Sequence, residues 1–191
     1  QEVRGLLPLM LTAAAEVVAE RKDLRFFLPV ATTIDQEFIR AELAKYPGLA
    51  VTTTDPHETY NLMVGADLGI LASGTATLEA ALLGLPIIVT YQISKVSALL
   101  FQVFANKEFC RQPAMVALPN LIKGQPIVPE LLQHDLTVPR LVAEIRGFLG
   151  EPERGTKIRK ELRGIGEMLG PPGVMERVAT IVRREAAHQN G

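Results

Sequence analysis

Tryptophan is absent from the 191 residues, and aromatic residues together make up 5% of them. Cysteine occurs once, at Cys110, which excludes a disulfide framework and a cysteine-rich zinc site. The three histidines, His57, His134 and His188, lie far apart with no His-x-x-x-His pair, so a local metal site has no support. An excess of one charge is also missing. The chain carries 20 basic and 21 acidic groups, a net of −1, which argues against a dedicated nucleic-acid binder. No apolar run reaches the roughly 18–20 residues of a membrane span, and no signal peptide opens the chain. The first residue is Gln1 rather than Met, so the chain is expected to be a fragment or a processed piece.

What is present is enough to build a core. Hydrophobic residues make up 48%, which excludes disorder. The length fits one generous domain, or one domain with an appended helical arm. Charge is mildly asymmetric. Residues 1–110 hold 8 basic and 12 acidic groups, and residues 111–191 hold 12 and 9. Solvated helix faces account for that difference.

Hydrophobic spacing predicts a helix over Glu2–Lys22, where Leu6, Leu7, Met10, Ala14, Val17 and Val18 recur at helical intervals. A short apolar strand follows at Arg25–Val30. Further expected elements are a helix at Asp35–Tyr46 capped by Asp35, a strand at Leu49–Thr52, and a helix at Asp55–Ala66 opened by Asp55-Pro56. Asp67–Ala72 reads as a strand buried on both faces. Ser73-Gly74-Thr75 turns it into a helix, Ala76–Leu83, and Ile87–Tyr91 is the next strand. Ile93–Phe104 reads as an apolar helix and Ala114–Leu118 as a fifth strand. Helices are expected at Val138–Leu149, Thr156–Met168 and Val174–Ala187. Alternating strands and helices, with strands lacking polar alternation, predict an α/β fold: a parallel sheet with helices on both faces. The division expected is a domain over residues 1–150 and a C-terminal helical arm over residues 151–191.

The stretch richest in chemistry is Leu71-Ala-Ser-Gly-Thr-Ala-Thr-Leu-Glu79. A buried strand ends there and a Ser-Gly-Thr turn opens a helix, whose first N–H groups form a ready anion site. Gly74 lets a phosphate approach the backbone, while Ser73 and Thr75 add hydroxyls. Glu79 lies four residues beyond Thr75, about 6 Å along the same helix face. A diphosphate at the turn would bring a ribose near that carboxylate, which can accept from two sugar hydroxyls. An ordinary N-cap followed by a surface glutamate explains the same residues. No G-x-G-x-x-G and no Walker loop is present, which removes support for dinucleotide and P-loop readings.

A second cluster is Leu118-Pro119-Asn120-Leu121, where Asn120 offers donors and an acceptor after an expected strand. Ligands of open parallel sheets sit outside the carboxyl ends of the strands, the edge to which both clusters point. Asn120 is equally well read as a turn-capping residue. His57 is expected on the surface, His134 in a polar loop, and Cys110 as a packed small residue. Arg183-Arg184 reads as solvated, or as a contact for acidic lipid heads.

These motifs, in this order, resemble the lipid-A-disaccharide synthases. Residues 2–11, Glu-Val-Arg-Gly-Leu-Leu-Pro-Leu-Met-Leu, resemble the helix that follows that family's Gly-Ser-Arg turn. Residues 69–91 are similar to its donor-site helix and the next strand. Val116-Ala-Leu-Pro-Asn-Leu-Ile resembles its Leu-Pro-Asn signature, and Val128-Pro-Glu-Leu-Leu-Gln133 the stretch that follows it.

The resemblance, which covers residues 2 to about 150, implies one Rossmann-like, UDP-sugar-binding half of a GT-B fold. It implies transfer of diacylglucosamine from UDP-2,3-diacylglucosamine to 2,3-diacylglucosamine 1-phosphate, giving lipid A disaccharide and UDP. No metal or other cofactor is implied. Ser73, Gly74 and Thr75 would hold the diphosphate, Glu79 the ribose, and Asn120 would help bind the donor. The loop at Asp55–His57 would contact the uracil through its backbone. The catalytic residue would belong to an N-terminal, acceptor-binding half. The Gly-Ser-Arg turn and the strand before it would lie upstream of Gln1. Lys107–Pro113 departs from the family as a longer connection. A cytoplasmic site on the inner membrane surface is implied, with a homodimer as a candidate assembly. Two rival readings are a UDP-sugar transferase of peptidoglycan-precursor type and a non-catalytic nucleotide-binding domain.

Overall fold

The computed structural model describes residues 2–92 and 115–188. The expected helix Ile93–Phe104, Cys110 and the connection Lys107–Pro113 lie outside these residues. In chain order the elements are α1 (Glu2–Glu20), β1 (Phe26–Pro29), α2 (Gln36–Ala44), β2 (Val51–Thr54), α3 (Thr59–Gly65), β3 (Gly69–Ala72), α4 (Thr75–Leu82) and β4 (Ile87–Tyr91). After the undescribed stretch come α5 (Leu118–Lys123), β5 (Glu130–Leu132), α6 (Val138–Gly150), α7 (Pro152–Met168) and α8 (Val174–His188).

Every strand pairing among the described residues is parallel. β1 pairs with β2 in the register Phe26 to Val51. β4 lies between β3 and β5, with Gly69 opposite Ile87 and Val89 opposite Glu130. The chain therefore forms two open parallel sheets, β1-β2 and β3-β4-β5, covered by helices. This is the α/β, Rossmann-like arrangement expected of one half of a GT-B fold. The apolar run of β4 explains its central place, because Ile87, Ile88, Val89 and Thr90 are all fully buried. Gly69 lets β3 start close beside it: a Cβ there would come within 3.0 Å of the Leu85 side chain and 3.3 Å of that of Ile87, which would have to give way.

α1 ties the two sheets together. Leu6, Ala13 and Val17 join the core beneath β3, β4 and α6. Leu7, Leu11 and Ala14 join a separate cluster with Val30, Ile39 and Leu49 around β1 and α2. Those residues alternate around the helix, so one element serves two cores. Asp35 caps α2 as expected, accepting from the N–H groups of Glu37 and Phe38.

Two elements differ from expectation. Ala114–Leu118 does not form the fifth strand: residues 115 to 117 belong to no regular element, and α5 begins at Leu118. Pro119 sits in the first turn, where its missing N–H costs nothing. Gly124, at φ 67°, closes the helix in the left-handed conformation that glycine adopts most readily. The fifth strand is instead Glu130–Leu132. The last strand therefore still precedes residue 150, but packing continues beyond it. α7 places Ile158, Leu162 and Ile165 in the same cluster as Ala80, Ala81 and Leu85. Each such aliphatic side chain contributes roughly 1.5–3 kcal/mol on burial. α8 is different, for its described side chains from Val174 to Ala186 are all exposed.

Candidate functional site

β3 ends at Ala72, and its exit is fixed by the Ser73 N–H, which donates to the Thr90 carbonyl at 3.0 Å. The chain then turns through Gly74 into α4. Thr77, fully buried, ties the turn down by donating its hydroxyl to the Gly74 carbonyl at 2.7 Å. The N–H groups of Gly74, Thr75 and Ala76 have no partner among the described residues. They are the orphan donors of a helix start and carry the positive end of its dipole. A Cβ at Gly74 would meet nothing within 4 Å among the described residues, so these leave the turn open to an approaching group. Thr75 is exposed, and its hydroxyl makes no hydrogen bond among the described residues. The Glu79 carboxylate, half-buried one helical turn further on, makes no hydrogen bond or ion pair among the described residues. An anion-accepting helix start, a spare hydroxyl and a spare carboxylate thus follow one another along the first two turns of α4.

Ser73 has another task. Its hydroxyl donates to the Val116 carbonyl at 2.9 Å, which joins the turn to the segment leading into α5. A hydroxyl has one proton, so the donor hydroxyl left at the turn is that of Thr75.

Asn120 lies in the first turn of α5, the helix that follows the Val116–Ala117 segment. It is fully buried, and its amide is fully engaged. Nδ2 donates to the Val128 carbonyl at 2.9 Å and to Glu130 Oε1 at 2.6 Å. Oδ1 accepts from the N–H groups of Ile127 and Val128 at 2.8 and 2.9 Å. Two donors and two lone pairs are all that a primary amide offers. Asn120 thus has a bracing role: it folds residues 124 to 128 back onto α5.

Glu130 is the residue that sequence reasoning passed over. Its carboxylate accepts from the N–H groups of Val116 and Ala117 at 2.9 and 3.1 Å, as well as from Asn120. The signal was the Glu of the Val-Pro-Glu stretch, a carboxylate among apolar residues beside a buried sheet.

At the carboxyl ends of β1 and β2 lies an open cavity of about 270 Å³. Val30 and Thr32 line it on one side, and Thr54, Asp55 and Pro56 on the other. The Thr54 hydroxyl is buried there without a partner among the described residues. Asp55 caps the short turn of helix before α3 by accepting from the His57 N–H at 2.9 Å. The His57 side chain is 94% exposed, as expected of a surface histidine. Among the described residues no group of three His, Cys, Asp or Glu stands close enough to hold a metal ion. No described helix is long and apolar enough to cross a membrane.

Comparison with known proteins adds a family to this geometry. The family profile described as lipid-A-disaccharide synthetase matches residues 1–163. The lipid-A-disaccharide synthase of Syntrophus aciditrophicus is 36% identical over 182 residues, which is 94% of this chain and 45% of that protein. That of Geobacter sulfurreducens is 38% identical over 181 residues, 95% of this chain and 45% of that protein. That of Alcanivorax borkumensis is 32% identical over 183 residues, 96% and 46% respectively. The chain spans about half the length of the curated relatives it matches.

Proposed function

Because the chain belongs to the lipid-A-disaccharide synthetase family, we propose that it is the donor-binding half of a glycosyltransferase. The donor is UDP-2,3-diacylglucosamine and the acceptor 2,3-diacylglucosamine 1-phosphate. The observation that carries this reading is the start of α4. Among the described residues, three N–H groups and the Thr75 hydroxyl are without a partner at its first turn, and so is the Glu79 carboxylate one turn on. An anion at a helix start is favoured by both the unpaired N–H groups and the dipole. The β-phosphate sits against Gly74 and Thr75, and Glu79 accepts from the ribose hydroxyls. Ser73 shapes the turn through Val116 rather than by touching phosphate. The uracil lies at the Asp55–His57 loop, beside the cavity at the ends of β1 and β2.

Residues 1–150 carry the UDP-sugar site, and residues 151–191 follow as a helical extension whose first helix, α7, packs into the same core. The acceptor and the catalytic base belong to an N-terminal half, which meets this one across the donor. The acyl chains of both substrates place the working enzyme on the cytoplasmic face of the inner membrane as a peripheral protein.

Titration of the chain with UDP in a calorimeter tests the reading. Saturable binding, lost with Glu79→Ala, supports it. No heat of binding at millimolar UDP contradicts it.

A further inference from the structure

Glu130 has no part in the site as proposed, yet it lies directly behind it. Residues 115 to 117 belong to no helix or strand, so their position depends on side chains. One peptide group, that between Val116 and Ala117, is held at both ends. Its N–H donates to Glu130 Oε1 at 3.1 Å, and its carbonyl accepts from the Ser73 hydroxyl at 2.9 Å. The preceding N–H, that of Val116, donates to Glu130 Oε2 at 2.9 Å. Asn120, itself fully buried, completes the carboxylate's shell at 2.6 Å. Hydrogen bonds to an ionised acceptor are stronger than neutral ones, and a peptide bonded at both ends is polarised so that each bond strengthens the other.

We propose that Glu130 is a positioning residue for the UDP-sugar donor. By fixing the Val116–Ala117 peptide, it draws the Ser73 hydroxyl back into the wall. That sets the shape of the Ser73-Gly74-Thr75 turn and leaves the Thr75 hydroxyl and the free N–H groups of α4 facing the diphosphate. The inference rests on the donor-site reading above and deepens it. Its signature is selective: a phosphate-binding turn that loses its brace loses affinity for the diphosphate, while contacts to base and ribose remain. Glu130→Gln keeps the shape of the side chain but replaces an acceptor with an NH₂ group facing an N–H donor, so one of its three partners is left unpaired.

The experiment measures UDP and uridine affinity by calorimetry for the 191-residue chain, Glu130→Gln, Ser73→Ala and the double variant, with a melting curve for each. Glu130→Gln is expected to weaken UDP about tenfold, the scale of one lost charge-assisted hydrogen bond, and to leave uridine within about twofold. Ser73→Ala reports the same link from its other end and should show the same selectivity. The double variant should lose no more than the worse single variant, because both act through one peptide. Wild-type UDP affinity in Glu130→Gln overturns the inference. So do equal losses for UDP and uridine, or losses that multiply in the double variant.

Failure of the donor site itself reads differently: the unaltered chain would not bind UDP, or Glu79→Ala would bind it unchanged. The link to Ser73 is then decided without ligand. Amide exchange at Ser73 should quicken about tenfold in Glu130→Gln, and unchanged exchange overturns the positioning role. If Glu130→Gln does not fold, Ser73→Ala decides the matter by its selectivity for UDP over uridine.

Discussion

Asn120 and Val128 are joined twice: the Asn120 amide donates to the Val128 carbonyl and accepts from the Val128 N–H, each at 2.9 Å. One side chain thus supplies both partners that a neighbouring strand would otherwise give, at a point where the chain has left α5 and not yet entered β5. The residue has no capacity left over, so its importance is expected to show in stability.

Asn120→Ala leaves the N–H groups of Ile127 and Val128 without acceptors and takes one of three donors from Glu130. Buried polar groups left unpaired cost about 1–3 kcal/mol each. A loss of about 3 kcal/mol in urea denaturation is expected, after partial relaxation. A change below about 1 kcal/mol would mean that the 124–128 loop holds its shape without the amide.

The described side chains of α8 are exposed. Val174, Met175, Val178, Ile181 and Val182 are between 50% and 74% exposed. Removing residues 171–191 is therefore expected to lower helical circular dichroism while shifting the denaturation free energy by less than about 1 kcal/mol, the scale of changes at exposed sites. Removing α7 as well takes Ile158, Leu162 and Ile165 out of the core and should unfold the domain, since cavities of that size cost several kcal/mol. A large loss from the first truncation would show that α8 packs against the body in solution.

Much of this architecture was legible because hydrophobic pattern and turn chemistry agreed. Ile87–Tyr91 is a strand over the residues expected, since a continuous apolar run between Gly84-Leu85-Pro86 and a polar residue fits a doubly buried strand. Asp35 and Asp55 cap as read, because a short carboxylate before a helix start has few other uses. The region around α5 was misread for a physical reason. Ala114–Leu118 is a short apolar run, and periodicity cannot separate strand from helix over five residues. Pro119 near the start and Gly124 after the end were the helix signals, and they outweigh the apolar run. β5, at three residues, is too short to show a period. The proposed donor turn could be read from the sequence because its parts are contiguous from Ser73 to Glu79. The bracing network was not, because Asn120, Val128, Glu130, Val116 and Ser73 are brought together by folding alone.

Neutralising the diphosphate without a metal ion is expected of a site built from a helix start and a hydroxyl. No His, Cys, Asp and Glu cluster among the described residues offers a cation site, and the Glu79 carboxylate is assigned to the ribose. UDP affinity should be the same in excess chelator and in millimolar Mg²⁺, within about twofold. Binding that disappears with chelator and returns with Mg²⁺ would show that the helix start is insufficient.

Glycosyl transfer requires the anomeric carbon of the donor to be held against an acceptor hydroxyl with a base in reach. The 191-residue chain is expected to bind the donor and not turn it over. Incubated with UDP-2,3-diacylglucosamine and 2,3-diacylglucosamine 1-phosphate, it should release no UDP above background. Adding the N-terminal half of a relative, covalently or as a separate chain, should restore release. Turnover by the chain alone, near that of a full-length relative, would relocate the catalytic group to these residues.

The claim on which the rest depends is that Glu79 accepts from the ribose of a UDP-sugar bound at the start of α4. The measurement that tests it most directly compares UDP with 2′-deoxy-UDP on the unaltered chain and on Glu79→Ala. Charge-assisted hydrogen bonds of this kind are worth roughly 1.5–3 kcal/mol, so the unaltered chain should prefer UDP by about ten- to a hundredfold. Glu79→Ala should bind UDP more weakly by a similar factor and no longer distinguish the two ligands. A Glu79→Ala variant that keeps the full preference for UDP would contradict the account.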